Sequence, residues 1–91
     1  MPGVDVNPDE LRRFAFLLNE TVSSVRQSKS SLNRSYNSLK DVWRDQKYRQ
    51  FEKIFSQTLP QIEIFCKSCE QYAQFLRDKE KPLRRYQEQN Y

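Results

Sequence analysis

The fold of this chain is decided by the stretch Asp41-Val42-Trp43-Arg44-Asp45-Gln46, because a regular apolar repeat stops before it and a second one starts after it. The stretch contains the only Trp of the 91 residues. Asp41 or Asp45 can cap a following helix, since an Asp side chain accepts a hydrogen bond from a first-turn amide. We therefore predict a short bend over residues 41–46 between two helices, with Trp43 as an aromatic plug.

Before the bend, apolar residues recur at intervals of seven with companions three or four positions away, which is the pattern of one helix face. The stretch Asn7-Pro8-Asp9-Glu10 is a helix-start signal, with Asn7 as the cap and Pro8 in the first helical position. We predict a helix over about residues 8–40, preceded by an extended lead-in over residues 1–6. The stripe consists of Leu11, Phe14, Ala15, Leu18, Val22, Val25, Leu32, Tyr36 and Leu39. Its predicted interface residues are Leu11, Phe14, Leu18, Val25, Leu32 and Leu39.

After the bend, the same spacing resumes with more aromatic residues, and it predicts a second helix over about residues 47–81. Pro60 lies inside the repeat, which continues on both sides of it, so we expect a kink there. Pro82 follows a charged run, where the helix either ends or bends and continues to Tyr86; the last residues are expected to be mobile. The stripe consists of Tyr48, Phe51, Phe55, Leu59, Ile62, Phe65, Cys66, Cys69, Tyr72, Ala73, Leu76 and Leu83. Its predicted interface residues are Tyr48, Phe51, Phe55, Ile62, Phe65, Cys69, Tyr72 and Leu76.

Two helices alone cannot cover these stripes. The chain has one Trp, five Tyr and six Phe, and an enclosed aromatic side chain buries roughly 150–250 Å². We therefore predict an all-α helical hairpin that forms a single domain over residues 1–91 and pairs with a second hairpin as a four-helix bundle. Both stripes contribute to the predicted dimer or partner interface, and the partner is either another copy or a different chain.

The composition supports the all-α fold and argues against several functions. A single Gly suits long helices, and the formal net charge of +4 comes from 16 basic and 12 acidic residues that are interspersed. A nucleic-acid-binding protein would gather its cations on one face, whereas the nearest set here, Arg26, Lys29, Arg34 and Lys40, is scattered. There is neither an apolar run of about 20 residues nor a signal peptide at the start. We expect a cytoplasmic protein whose export, if any, needs no cleaved signal.

Chemistry is sparse in this sequence. Cys66-Lys67-Ser68-Cys69 falls inside the second helix, away from the helix N-terminus that activates a thiol. With no His in the chain, only two such pairs in a dimer could complete a zinc site. Buried core residues are the expected role of Cys66 and Cys69, with an intersubunit metal or disulfide and redox sensing left open. The carboxylates are scattered as surface charges, so we expect neither an enzyme nor a cofactor.

These features resemble the WXG family of bacterial helical-hairpin proteins, which are substrates and partners of type VII secretion. That family combines about a hundred residues, two amphipathic helices and a Trp-x-Gly bend. Here Trp43-Arg44-Asp45 stands at the bend, with Leu39, Phe51 and Phe55 spaced around it as in the family. The resemblance covers nearly the full chain and implies a hairpin that dimerises and is secreted or escorts another protein.

Two positions depart from the family pattern. Asp45 replaces the glycine of the bend, and Asp is a good helix cap. Exported members commonly carry Tyr-x-x-x-Asp or Tyr-x-x-x-Glu after the second helix, but here Leu76 follows Tyr72 and Asn90 follows Tyr86 at that spacing. In a heterodimer the partner can supply the motif.

The preferred function is thus a noncatalytic, dimerising substrate or escort of a type VII-like secretion system. The alternative is a cytosolic adaptor or chaperone that pairs with a larger toxin or effector protein, and a basic nucleic-acid-binding protein ranks third. Trp43 has two interpretations: it plugs the end of the bundle, or it forms with Val42 and Tyr48 a knob that docks on a secretion ATPase or a cargo protein.

Overall fold

The structure is a computed structural model that describes residues 7–89 of the chain. Two antiparallel helices, α1 (Pro8–Leu39) and α2 (Gln46–Gln89), form a helical hairpin with extents of 68 × 22 × 14 Å. The predicted all-α hairpin is confirmed, and residues 40–45 connect the two helices. The lead-in expected over residues 1–6 lies outside the described residues.

Helix α1 begins where the helix-start signal predicted. The Asn7 Oδ1 atom accepts a hydrogen bond from the Asp9 amide at 2.9 Å, and Pro8 occupies the first turn, where its missing amide hydrogen costs nothing. Asp9 and Glu10 place negative charge at the positive end of the helix dipole. Because these interactions are local, the four residues Asn7 to Glu10 are sufficient to predict the start of α1.

The bend is closed by backbone hydrogen bonds and a side-chain cap. The amides of Val42 and Trp43 both donate to the Leu39 carbonyl, at 3.0 and 2.9 Å. On the other side, the Asp45 Oδ1 atom accepts a hydrogen bond from the Tyr48 amide at 3.0 Å and caps the first turn of α2. Of the two Asp residues considered from the sequence, Asp45 is therefore the cap.

Helix α2 is longer than the predicted 47–81, because it runs through Pro82 to Gln89. A proline removes one helical hydrogen bond, and contacts in this region compensate for that loss. Glu80 is buried, and Arg84 forms ion pairs with both Glu80 and Asp9 of α1. Helix α2 is also continuous through Pro60, where the expected kink stays a prediction. Of the tail expected to be mobile, the part up to Gln89 is helical and residues 90–91 lie outside the described range.

The core between the helices is thin. Its centre is Val22 of α1 against Cys66 and Cys69 of α2. The accessible surface of 7340 Å² exceeds the roughly 5,600 Å² expected for a compact monomer of 11.1 kDa. The hairpin therefore leaves much of its apolar surface uncovered. The buried apolar residues are Ala15, Val22, Tyr36, Phe55, Cys66, Cys69 and Ala73.

Candidate partner interface

One side of the hairpin carries an apolar groove between the helices, at the half that is distant from the bend. Its volume is about 420 Å³, and Cys69 lies among its lining residues. The four aromatic side chains of the groove, Phe14, Phe65, Tyr72 and Phe75, are each more than half exposed. Large exposed apolar patches of this kind mark interaction sites in soluble proteins. The lining is completed by Leu18, Ser68 and Leu76.

Towards the bend the same groove becomes shallow and serine-lined. A groove of about 290 Å³ is floored by Val25, Leu59 and Ile62, beside an open hollow of about 640 Å³. Serine side chains are small, so this half leaves room for the larger side chains of a partner. We call the two grooves together the apolar face. The hollow is lined by Ser24, Gln27, Ser28, Ser31, Leu32 and Ser35.

A different side of the hairpin carries an ion-pair network. Arg26 Nη2 donates to Glu63 Oε2 and Arg26 Nη1 donates to Glu70 Oε2, both at 2.7 Å, while Lys29 Nζ lies 3.1 Å from Glu63 Oε1. Hydrogen bonds from Arg26 and Lys29 lower the pKa of Glu63 to about 2. The hydrogen bonds that Arg26 donates to Glu70 and Glu63 raise the pKa of Arg26. The network joins α1 to α2 midway along the hairpin.

Helical spacing separates the carboxylates of this network from the apolar residues of α2. Glu63 and Glu70 are seven residues apart on one stripe of α2, and Phe65 and Tyr72 form a parallel stripe two residues further on. Two residues along a helix correspond to a rotation of about 200°, so the two stripes lie on nearly opposite sides of α2. On α2 the apolar residues and the paired carboxylates thus lie on nearly opposite sides, while Lys29 of α1 belongs to the network and also borders the shallow groove.

A second ion-pair group holds the ends that are distant from the bend. Arg84 Nη2 donates to Asp9 Oδ1 at 2.7 Å, and the Arg84 Nε atom donates to Glu80. The hydrogen bond and charge of Arg84 lower the pKa of Asp9, and the bonds to Glu80 and Asp9 raise the pKa of Arg84. These contacts attach the late turns of α2 to the first turn of α1.

At the bend, the aromatic side chains form a cluster. Tyr36 of α1 packs on Phe55, with ring centroids 4.8 Å apart, and stacks on Tyr48 at 5.9 Å. The Tyr36 and Tyr48 hydroxyls donate to Glu52 Oε2 at 2.9 and 2.7 Å. Burial, together with the bonds to Tyr48 and Glu52, raises the pKa of Tyr36, and the two tyrosines lower that of Glu52.

Trp43 joins this cluster from the bend. Its ring meets the Tyr48 ring edge-on at 5.5 Å and lies 6.2 Å from the Phe51 ring, and its side chain is half-buried. Val42 beside it is 81% exposed. Trp43 therefore packs into the aromatic cluster and still presents part of its surface beside an exposed aliphatic side chain, so its roles as a plug of the bundle and as a docking knob both stay predictions.

The predicted interface residues fall into groups that the sequence did not separate. Phe55 and Cys69 are buried within the single hairpin, and Tyr48 and Phe51 belong to the aromatic cluster. Half-buried residues along the helix contact are Leu11, Leu18, Val25, Ile62 and Leu76. Exposed residues are Phe14, Leu32, Leu39, Phe65 and Tyr72.

Some exposed apolar residues were missed because they fall outside the seven-residue repeat. Phe75 lines the apolar groove, and its position three residues after Tyr72 was the available signal. Leu17, Ile54 and Ile64 are likewise exposed. Together they widen the apolar side of the hairpin beyond the predicted stripes.

Cys66 and Cys69 are both free and buried, as expected for core residues. Within residues 7–89, no group of three or more Cys, Asp and Glu side chains is arranged to hold a metal ion. A metal or disulfide between two chains stays open. Neither helix of the described part contains a segment long and apolar enough to cross a bilayer.

Comparisons with known proteins agree with this geometry. No family model matches the chain. It is 28% identical over 76 residues to the type VII secretion system extracellular protein A of Staphylococcus aureus strains such as USA300 and Newman, covering 84% of this chain and 78% of the relative.

Solved structures with the same fold come from Bacillus anthracis strain Sterne. The secreted protein EsxB superposes with a TM-score of 0.78 at 20% identity, covering 93% of this chain and 99% of EsxB. A single-residue mutant of EsxB gives 0.76 at 20% identity, covering 92% and 97%. Sequence similarity to a type VII secretion protein and the shared hairpin fold confirm the resemblance of this chain to the WXG-type helical-hairpin family.

Proposed function

We propose that this chain is a noncatalytic substrate or escort of a type VII-like secretion system, and that it acts as a dimer. The second hairpin covers the apolar face and completes a four-helix bundle. The observation that carries this proposal is the exposure of Phe14, Phe65, Tyr72 and Phe75 along one groove. Aromatic side chains clustered in this way are typical anchors of protein interfaces.

The surface area supports pairing. A standard interface buries about 800 Å² per partner. The accessible surface of 7340 Å² exceeds that of a compact monomer by more than this amount, which agrees with an unfilled contact surface along the hairpin. The predicted interface residues Leu18, Val25, Ile62 and Leu76 lie along this face and would become fully buried when a second hairpin covers it.

The route of export is part of the proposal. The chain is made in the cytoplasm and leaves the cell through the type VII-like system, which is supported by its similarity to an extracellular type VII secretion protein. Because Tyr72 and Tyr86 lack an acidic residue four positions later, the partner supplies the export motif. The half-buried Trp43 and exposed Val42 at the bend are the surface for a secretion ATPase or a larger effector.

Pairing is tested by measuring the association state with sedimentation equilibrium, with and without the candidate partner from the neighbouring genes. Tyr72→Ala and Phe65→Ala are each expected to weaken pairing by about tenfold or more, as for interface anchors. Phe16→Ala is the matched control, since Phe16 is 58% exposed but does not line the apolar face. Equal effects of the three substitutions would contradict the assignment of the interface.

Export is tested by comparing intact cells with and without the secretion ATPase. We expect the protein in the culture medium only when the ATPase is present and the apolar face is intact. Its absence from the medium under all conditions would count against the substrate role.

The second candidate is a cytosolic adaptor or chaperone that pairs through the same face with the helices of a larger toxin or effector. The missing acidic residue after Tyr72 and Tyr86 favours this alternative. It predicts that the chain co-purifies with the larger protein and never appears in the medium. Nucleic-acid binding ranks below both. It would be eliminated if the protein showed no salt-dependent affinity for DNA or RNA.

A further inference from the structure

The distribution of charge on the hairpin indicates which class of protein can bind the apolar face, and we consider the cations first. All 16 Lys and Arg residues lie within the described part of the chain. Arg12, Arg26, Lys29 and Arg84 form ion pairs. The other cations have no carboxylate partner among residues 7–89, and they are found along both helices and in the bend.

The acidic residues, in contrast, are mostly engaged within the chain. Four carboxylates form ion pairs, and these are Asp9, Glu63, Glu70 and Glu80. Glu52 accepts hydrogen bonds from two tyrosine hydroxyls, Asp45 caps α2, and Asp78 accepts a hydrogen bond from Gln74. The four cations and four carboxylates of the ion pairs cancel, so the surface available to a partner keeps the net charge of +4, and several of its remaining carboxylates already accept hydrogen bonds within the chain.

Two of these cations lie on the same side of α2 as its exposed apolar residues, one near each end of the helix. Lys47 precedes Phe51 by four residues and Ile54 by seven, and Lys79 follows Phe75 by four and Tyr72 by seven. Residues at these intervals share one side of a helix. The apolar stripe of α2 thus has an exposed lysine at each end.

A second copy of this chain fits such a stripe poorly. In an antiparallel two-fold pair, α2 of one copy lies along α2 of the other with its ends reversed, which brings Lys47 towards Lys79. In a parallel pair the two bends lie side by side, and the hollow at each bend contributes the cations Lys40, Arg44 and Arg49 against the carboxylate Asp41. Like charges that meet across an interface oppose association.

We propose that the partner of the apolar face is an acidic helical-hairpin protein, with Asp or Glu beside each end of its own apolar stripe, rather than a second copy of this chain. The proposal rests on the pairing proposed above and specifies the chemistry of the partner. Complementary charges at the rim accelerate association and exclude the self-pair.

The test uses a charge-reversed form of this chain as the acidic probe. The double variant Lys47→Glu and Lys79→Glu keeps the apolar face unchanged, and far-UV circular dichroism checks that it folds. Wild type and variant are mixed, and the self-pairs and the mixed pair are quantified by native mass spectrometry and sedimentation. At about 50 mM salt we expect the mixed pair to bind about tenfold tighter than the wild-type self-pair, with a smaller difference at about 500 mM.

The matched control is the double variant Arg77→Glu and Lys81→Glu, which changes the net charge equally. Arg77 follows Glu70 by seven residues and Lys81 follows it by eleven, so both lie on the ion-paired side. We expect this variant to pair with wild type no more tightly than wild type pairs with itself. An equal gain with both variants would overturn the proposal, because it would reflect net charge and not the rim of the apolar face.

The remaining outcomes are distinguishable. A wild-type self-pair as tight as the mixed pair would overturn the acidic partner and leave the proposed pairing intact. If no combination associates, the pairing fails and the acidic partner fails with it. Tighter binding of the wild type to duplex DNA than to the acidic probe at about 150 mM salt would assign the cations to nucleic acid and also overturn the proposal.

Discussion

Arg26 of α1 and Glu63 of α2 form an ion pair midway along the hairpin, with Nη2 and Oε2 2.7 Å apart. Glu63 also accepts from Lys29, and Arg26 also donates to Glu70. In an antiparallel hairpin, a residue of α1 lies beside residues of α2 that are about equally distant from the bend. Sliding one helix along the other would separate the partners, so these bonds form in only one register of the two helices. The charged side of the hairpin therefore sets the alignment that the thin apolar core alone would specify weakly.

This pair gives the stability of the protein a defined pH dependence. The pKa of Glu63 is lowered from 4.5 to about 2 by its hydrogen bonds to Arg26 and Lys29. A carboxylate whose folded pKa is depressed contributes stability above its unfolded pKa and loses that contribution as the pH falls through the folded value. We expect the urea concentration at the midpoint of unfolding to decrease as the pH is lowered from 4.5 to about 2. The substitution Glu63→Gln should remove part of that decrease.

The control for this experiment is Glu20→Gln, since Glu20 has no basic partner among the described residues. It should leave the pH profile of the wild type unchanged. A Glu63→Gln profile that parallels the wild type at every pH would show that the pair does not contribute to stability.

Phe55 is predicted to be the aromatic residue whose loss is most costly. It is 7% exposed and packs on the Tyr36 and Phe51 rings at 4.8 and 5.3 Å. Phe55→Ala should lower the free energy of unfolding by about 3 kcal/mol or more, because it removes apolar burial and leaves a cavity. Phe16→Ala, at an exposed position, should cost less than about 1 kcal/mol. If urea denaturation gave the same loss of unfolding free energy for both variants, the burial of Phe55 in the aromatic cluster would be contradicted.

Asp45 is predicted to stabilise the start of α2 through its cap. Its Oδ1 atom accepts from the Tyr48 amide at 3.0 Å. Asp45→Ala should reduce the free energy of unfolding by about 1 kcal/mol, whereas Asp45→Asn and Asp45→Gly should cost only a few tenths. Thermal denaturation of the three variants measures this order, and an alanine variant as stable as wild type would exclude the cap as a source of stability.

The two thiols are predicted to be protected from reagents until the hairpin opens. Cys66 is fully buried and Cys69 is 7% exposed. Buried thiols react slowly, because a reagent cannot reach the sulfur atom while the helices are packed together. Labelling with a thiol reagent, followed by mass spectrometry, should be slow in buffer and fast in urea. Rapid labelling of either residue in buffer would support the redox or intersubunit roles.

The sequence predicted those features that depend on neighbouring residues. The start of α1 at Pro8 follows from the Asn7 cap, and the bend follows from the break in the apolar repeat and from Asp45. The exposure of Phe14 and Tyr72 was anticipated from the number of aromatic residues, which exceeds what one helix contact can enclose. These inferences succeed because capping and helical periodicity are local properties.

The sequence did not predict how charges divide between the two sides of the hairpin. Glu63 and Glu70 were interpreted as scattered surface charges, and their pairing with Arg26 becomes visible only when α1 lies against α2. The continuation of α2 to Gln89 has the same origin, since the turns around Pro82 are held by Arg84 and its contact with Asp9. Both features depend on residues that are distant in sequence.

By itself, the sequence determined an all-α hairpin with a bend at Trp43, the cap of the first helix and an apolar surface too large for two helices. These properties arise from spacing and from the residues at helix ends, which act within one or two turns. Only the tertiary structure decided which of the predicted interface residues remain exposed and that the acidic residues are mostly engaged inside the hairpin. Both depend on the register of α1 against α2, because a side chain becomes buried or paired only through atoms that another segment brings to it.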